Sequence, residues 1–158
     1  MPPTVEEYLS LFDESRFIPT LKTRTKAGVL REVAATLAED EEIRHADVLR
    51  EALEAREKLG STGIGKEVAI PHGRTLSVPR LKVLIARSRK GIDWEAADKK
   101  PVKLFFAVVA PPQEKTNYYL PLLGALVSAM SEKRSRDAIL AAKDFAGVMD
   151  ALQEAFRG

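Results

Sequence analysis

Val102-Lys103-Leu104-Phe105-Phe106-Ala107-Val108-Val109 carries one charged side chain in eight residues and is otherwise apolar. A strand with one wet face alternates apolar and polar residues. A near-continuous apolar run of this length, rich in β-branched and aromatic residues, suits a strand covered on both faces. Leu81-Lys82-Val83-Leu84-Ile85-Ala86 reads as a second strong strand, and Val68-Ala69-Ile70 as a short third. Phe17-Ile18-Pro19-Thr20-Leu21 predicts a short edge strand, because Pro19 has no N–H to give to a central ladder. Helical spacing surrounds these runs. Val5, Tyr8, Leu9 and Phe12 share a face, and so do Val29, Val33, Ala34 and Leu37 behind an N-cap at Thr25. A further helix opens at Asp47, runs through Lys58 and is ended by Gly60. Three more are predicted from Thr116 or Asn117 to about Ser131, from Ser135 to about Lys143, and from Asp144 to Phe156. Helices before, between and after the strands predict an α/β fold, with helices covering a mixed sheet.

Composition narrows the class. With 158 residues, 45% apolar and 30% charged, the chain has the size and balance of one soluble domain spanning residues 1–158. It contains no apolar run of about 18 residues, so no membrane span is expected. Its first residues, MPPTVEEYLSLF, lack the pattern of a signal peptide, and a cytoplasmic location is expected. There is no cysteine, hence no disulfide framework or thiolate chemistry. Against 25 basic residues stand 23 acidic ones, which does not suit a nucleic-acid binder. Arg87-Ser88-Arg89-Lys90 and Lys133-Arg134-Ser135-Arg136 are the notable basic clusters, read as solvated loops or helix ends that can also suit an acidic protein partner.

The segment with chemical content runs from Arg56-Glu57-Lys58-Leu59-Gly60 through Ser61-Thr62-Gly63-Ile64-Gly65 to Ala69-Ile70-Pro71-His72-Gly73-Arg74. A helix end is followed by a loop of hydroxyls and glycines, whose successive amides can form an anion-binding concavity. A short strand then delivers His72, with Pro71 stiffening the approach and Gly73 leaving space beside the ring. That setting suits a histidine nucleophile for phosphoryl transfer. Such a residue needs one neutral ring nitrogen facing outward and the other held by an acceptor. Arg56 and Thr62 are suitable donors to the phosphoryl oxygens. Taken singly, each feature is weak: the Gly-x-Gly run matches neither a Rossmann nor a P-loop fingerprint. His45, the other histidine, sits among charged residues before a helix, which leaves no His-based metal site to expect. Trp94 reads as core or as a loop anchor.

Taken together, these motifs resemble the signature of the type-2 IIA domains of the phosphoenolpyruvate:sugar phosphotransferase system. This is the mannitol/fructose class, which includes nitrogen-regulatory IIA proteins. The resemblance extends over nearly the whole chain, through Gly91-Ile92-Asp93-Trp94, the Asp98-to-Val102 approach to the long strand, and Pro111 after it. It implies a three-layer α/β sandwich with a mixed sheet. It implies that His72 accepts a phosphoryl group on Nε2 from the phosphocarrier protein HPr or its nitrogen-branch counterpart. Arg56 and Thr62 then line the phosphate site, and neither a metal nor an organic cofactor takes part. In sugar-transport members the group passes on to a cysteine of a IIB domain.

Two positions depart from the pattern. Where such domains carry a second histidine followed by leucine, this chain has Tyr119-Leu120. A tyrosine hydroxyl can still donate to a phosphoryl group but stays neutral. Lys66-Glu67 stands where a glycine is common in second place, and Glu67 is expected to point to solvent. Three functions follow as expectations. A regulatory phosphocarrier, whose phosphorylation changes the target protein it binds, is favoured, since the chain carries no fused IIB or IIC part. A sugar-transport component and a docking module impaired by Tyr119 are the alternatives.

Overall fold

The computed structural model describes residues 1–158 as an α/β sandwich of six helices and six strands. The helices are α1 (Val5–Leu9), α2 (Lys26–Leu37), α3 (Ala46–Lys58), α4 (Tyr119–Ala129), α5 (Lys133–Ala141) and α6 (Phe145–Arg157). The strands are β1 (Phe17–Ile18), β2 (Gly63–Gly65), β3 (Val68–Ala69), β4 (His72–Arg74), β5 (Lys82–Ile92) and β6 (Val102–Ala110).

The long apolar run is the centre of the sheet. β6 pairs antiparallel with β5 on one side and parallel with both β3 and β4 on the other, giving the order β1-β5-β6-β3-β2 with β4 also on β6. Its side chains alternate between two cores. Phe105, Ala107 and Val109 pack with α2 and α3, while Leu104, Phe106, Val108 and Ala110 pack with α1, α4 and α6. All seven are fully buried, which is why no polar alternation shows in the sequence. Three layers result.

β1 is a parallel edge strand as expected, and Thr25 caps α2 through a 3.1 Å bond from the Gly28 N–H. Two expectations need correction. β5 is longer than the apolar run suggests and takes in the basic cluster at 87–90, so that cluster is strand, not loop. Arg87 is half-buried there, and its guanidinium donates to the carbonyls of Ile139, Leu140 and Ala142, closing the C-terminal end of α5. Gly63–Gly65 is a strand too, joined to β3 by a two-residue turn. Lys66 and Glu67 both have left-handed backbones, with φ of 57° and 69°, as a hairpin turn of this length requires.

Candidate functional site

His72 opens β4, and its neighbours are set by the sheet. The N–H of Val108 on β6 donates to the Pro71 carbonyl at 2.9 Å, so the proline enters the ladder as an acceptor only. The middle of α3 passes beside this strand. A Cβ on Gly73 would stand 3.5 Å from the Ala52 carbonyl oxygen. The glycine therefore faces α3, and it is not space beside the imidazole that it provides.

The imidazole is half-buried and held at both nitrogens. Nδ1 lies 2.7 Å from the Ile70 carbonyl, which can only accept, so Nδ1 carries the proton. Nε2 is then the lone-pair nitrogen, and the Nε–H of Arg56 donates to it at 3.3 Å. Arg56 is itself anchored by a 2.9 Å bond from its guanidinium to the Gly60 carbonyl, one helical turn further on. Burial pushes the His72 pKa below the usual histidine value. The Arg56 charge lowers it further, against the opposing pull of the Ile70 carbonyl and Glu57. The ring is thus kept neutral, with its lone-pair nitrogen on the Arg56 side. It opens on a 170 Å³ cavity whose walls include Arg56, Thr62, Ile64, Leu123 and Val127.

Thr62 lines that cavity but differs from expectation. Its hydroxyl donates to the carboxylate of Glu57, its N–H donates to the same carboxylate at 3.2 Å, and its carbonyl accepts from Ile70 N–H at 3.0 Å. Every polar atom of Thr62 is engaged, so it supports the site rather than offering a donor to a phosphoryl oxygen. The Gly63 amide is likewise turned onto the Ser61 hydroxyl at 3.1 Å. The Thr62, Gly63 and Lys66 amides of this segment are thus taken by Glu57, Ser61 and Asp98 rather than converging on an anion.

The sequence reading passed over the group that organises these contacts. Glu57 is buried and accepts from Thr62 and, at 3.3 Å, from the indole N–H of Trp94; it pairs with Lys26 of α2 at 2.8 Å. Lys26 also donates to the Trp94 carbonyl at 3.3 Å and stands over the indole ring at 5.1 Å. The signal was available. Leu49 and Leu53 form the buried stripe of α3, and Glu57 continues it at the same four-residue interval. A carboxylate at a core position of a helix is buried with partners or not at all.

Tyr119, at the start of α4, is buried and meets the His72 ring edge-on, with 6.4 Å between centroids. Burial pushes its phenol pKa up, so it brings no charge to the site. The Arg74 guanidinium, two residues along β4 from His72, rests over the Tyr119 ring at 4.5 Å. Glu67 points away from the site and pairs with Lys103 at 3.5 Å, as expected of a solvent-facing residue. His45 is exposed and lies outside the site, in a left-handed backbone with φ of 57° before α3. No group of three His, Asp or Glu side chains converges anywhere in the chain, and no helix is long and apolar enough to cross a membrane.

The chain is 32% identical over 130 residues to a fructose-specific EIIA component of Haloferax volcanii, covering 82% of this chain and 84% of that protein. It is 42% identical over 94 residues to a nitrogen regulatory protein of Bradyrhizobium diazoefficiens, 60% of this chain and 61% of that one. It also matches a fructose-specific EIIABC component of Bacillus subtilis, 28% identical over 85% of this chain, but spans only 21% of that longer protein. Among solved structures, the nitrogen regulatory protein IIA-Ntr of Neisseria meningitidis superposes with a TM-score of 0.84 at 31% identity, over 91% of this chain and 97% of that one. The family described as "Phosphoenolpyruvate-dependent sugar phosphotransferase system, EIIA 2" matches residues 10–155, and the chain belongs to it.

Proposed function

We propose that this chain is a phosphocarrier that takes a phosphoryl group onto Nε2 of His72 and serves chiefly in regulation. One observation carries the assignment of the acceptor atom. The Nδ1–H is committed to the Ile70 carbonyl at 2.7 Å, which leaves the Nε2 lone pair, met by the Arg56 Nε–H, as the nitrogen that can attack. In the transfer, that lone pair attacks the phosphorus of a phosphohistidine donor. The new P–Nε2 bond forms as the donor's P–N bond breaks, and the donor imidazole leaves with the electron pair. The His72 proton stays on Nδ1, so the phosphorylated ring keeps a positive charge against the phosphoryl dianion. Arg56 gives up its bond to the lone pair and turns to the phosphoryl oxygens, whose charge a guanidinium matches bidentately. Thr62 and Glu57 fix the wall behind it. Neither a metal nor an organic cofactor is called for.

HPr or its nitrogen-branch counterpart fits as the donor, since each presents a phosphohistidine. The regulatory reading draws on the likeness to nitrogen regulatory proteins in sequence and shape. A second reading, passage of the group to a cysteine of a IIB domain in sugar transport, draws on the fructose-specific relative. Either reading suits a protein that works in the cytoplasm. Tyr119 meets the edge of the ring without occupying Nε2, which speaks against an inert docking module.

The test is incubation with phosphoenolpyruvate, Enzyme I and either phosphocarrier, followed by intact mass. The expected outcome is one acid-labile, alkali-stable phosphoryl group, absent in His72→Ala. A His72→Ala protein that still gains the group would overturn the assignment.

A further inference from the structure

His72 and Arg74 are residues i and i+2 of one strand. Side chains at that interval leave the same face of a sheet, about 7 Å apart at their Cα atoms. Arg74 therefore stands beside the acceptor ring by construction of the backbone. Its side chain is exposed and forms no ion pair, although Glu114 borders the same 580 Å³ hollow. The contact the structure gives it is the face of Tyr119, at 4.5 Å, and that ring in turn meets the His72 ring. A guanidinium on an aromatic face at an exposed site is only weakly held. It is positioned without being spent.

The chemistry of the acceptor asks for such a group. A phosphoryl dianion on Nε2 meets one guanidinium, Arg56, arriving from α3. Tyr119, whose ring meets the imidazole, is buried and neutral. The cation seated on that ring is Arg74. A rotamer change, which an exposed arginine without ionic partners makes freely, carries its guanidinium off the Tyr119 face toward the phosphoryl oxygens.

We propose that Arg74 is a catalytic residue, the second guanidinium of the phosphoryl site: Tyr119 parks it beside His72, and it closes on the transferred group alongside Arg56. This rests on His72 being the acceptor. Two guanidiniums then clamp the group from α3 and β4. Arg74 contributes most when the charge is present, during transfer and in phospho-His72, and least in the empty site.

The test compares the parent with Arg74→Gln and Arg74→Lys, and with Arg89→Gln as a control for loss of a distant exposed cation. The saturating transfer rate from the phosphorylated carrier, its KM, and the lifetime of purified phospho-His72 at pH 7 are measured. For Arg74→Gln the expected result is a fall of about tenfold in the saturating rate, as for loss of one charge-stabilising donor at a partly solvated site. Phospho-His72 is expected to be several-fold shorter-lived. Arg74→Lys recovers part of both, because it restores charge without the bidentate fork. Arg89→Gln matches the parent. A change confined to KM in Arg74→Gln overturns the proposal, since it makes Arg74 a contact for the partner alone. Unchanged rate and lifetime overturn it too. If the parent gains no phosphoryl group from either carrier, the His72 reading fails first and this inference falls with it, whereas failure of the Arg74 variants alone leaves His72 standing.

Discussion

At the scale of the residue, the site turns on one proton. Burial and the Arg56 charge both favour the neutral form of His72, and neutrality is what an attacking nitrogen requires. The sign follows directly. A histidine whose folded pKa lies below its ordinary value of about 6.5 stays deprotonated at neutral pH and gains its proton only on further acidification. Transfer to His72 is therefore expected to hold level from pH 8 to about 6.5 and to decline below that, with a midpoint under the ordinary value. Arg56→Ala removes a charge that opposes protonation, so its midpoint moves upward, and transfer slows because the proposed phosphoryl ligand is gone. NMR titration of the ring protons in parent and variant checks this. A parent midpoint at or above 6.5, or one that Arg56→Ala leaves in place, would show that the Nε2 environment is not as described. The same depressed pKa means that the unfolded chain binds this proton more readily, so stability is lost as pH falls through the interval.

At the scale of the element, α3 is held to the site by the Glu57 carboxylate. Its partners come from α2, from the segment before β2 and from the Trp94 segment after β5. Lys26→Ala leaves this buried carboxylate without its cation. Breaking a buried pair from one side costs about 3–5 kcal/mol. Lys26 keeps about a fifth of its side chain in water, so a loss of about 2–4 kcal/mol is expected. Urea unfolding followed by the fluorescence of Trp94, the single tryptophan, measures it. A loss under about 0.5 kcal/mol, the level of an exposed pair, would mean that Glu57 is solvated in solution. The network also shows where sequence reading stops. β6 and the helical stripes are legible because burial on a fixed period leaves an apolar trace. His72 is legible because Pro and Gly flank it in a specific motif. Gly63–Gly65 hides as a loop, since glycines have low strand propensity and its pairing is fixed by β3 and a left-handed turn. Residues 87–92 of β5 hide for a different reason. Their charges are accommodated by α5 carbonyls and solvent at the sheet's end, a tertiary circumstance that no local pattern encodes. Arg74 stands in the sequence only as the end of the motif, and its seat on the Tyr119 ring is a tertiary circumstance as well.

At the scale of the whole molecule, a second ionic cluster, built on the connection between α2 and α3, ties the layers together. Lys82, at the start of β5, is buried with its ammonium bound to Asp40 and, at 2.8 Å, to Glu42, both from the connection between α2 and α3. Arg16, ahead of β1, approaches Asp40 at 4.0 Å and donates to the Val83 carbonyl at 3.0 Å, while Arg80 pairs with Glu42 at 2.8 Å. The hydrogen bond from Lys82 is the main cause holding both carboxyls below their usual values. A carboxyl with a depressed folded pKa stabilises the native state at pH values above its unfolded pKa, near 4. That contribution is lost as pH falls through the folded value. The thermal midpoint is therefore expected to stay level from pH 8 to about 5 and to drop below about 4. Asp40→Asn should melt lower than the parent at pH 7, because it leaves a buried ammonium short of a counter-charge. The gap should narrow as pH falls through the folded value of Asp40, below which the parent's own carboxyl is protonated and equally neutral. A gap that stays constant across the series would mean that the variant acts by packing alone, and that Lys82 finds its counter-charge in Glu42 without help from Asp40.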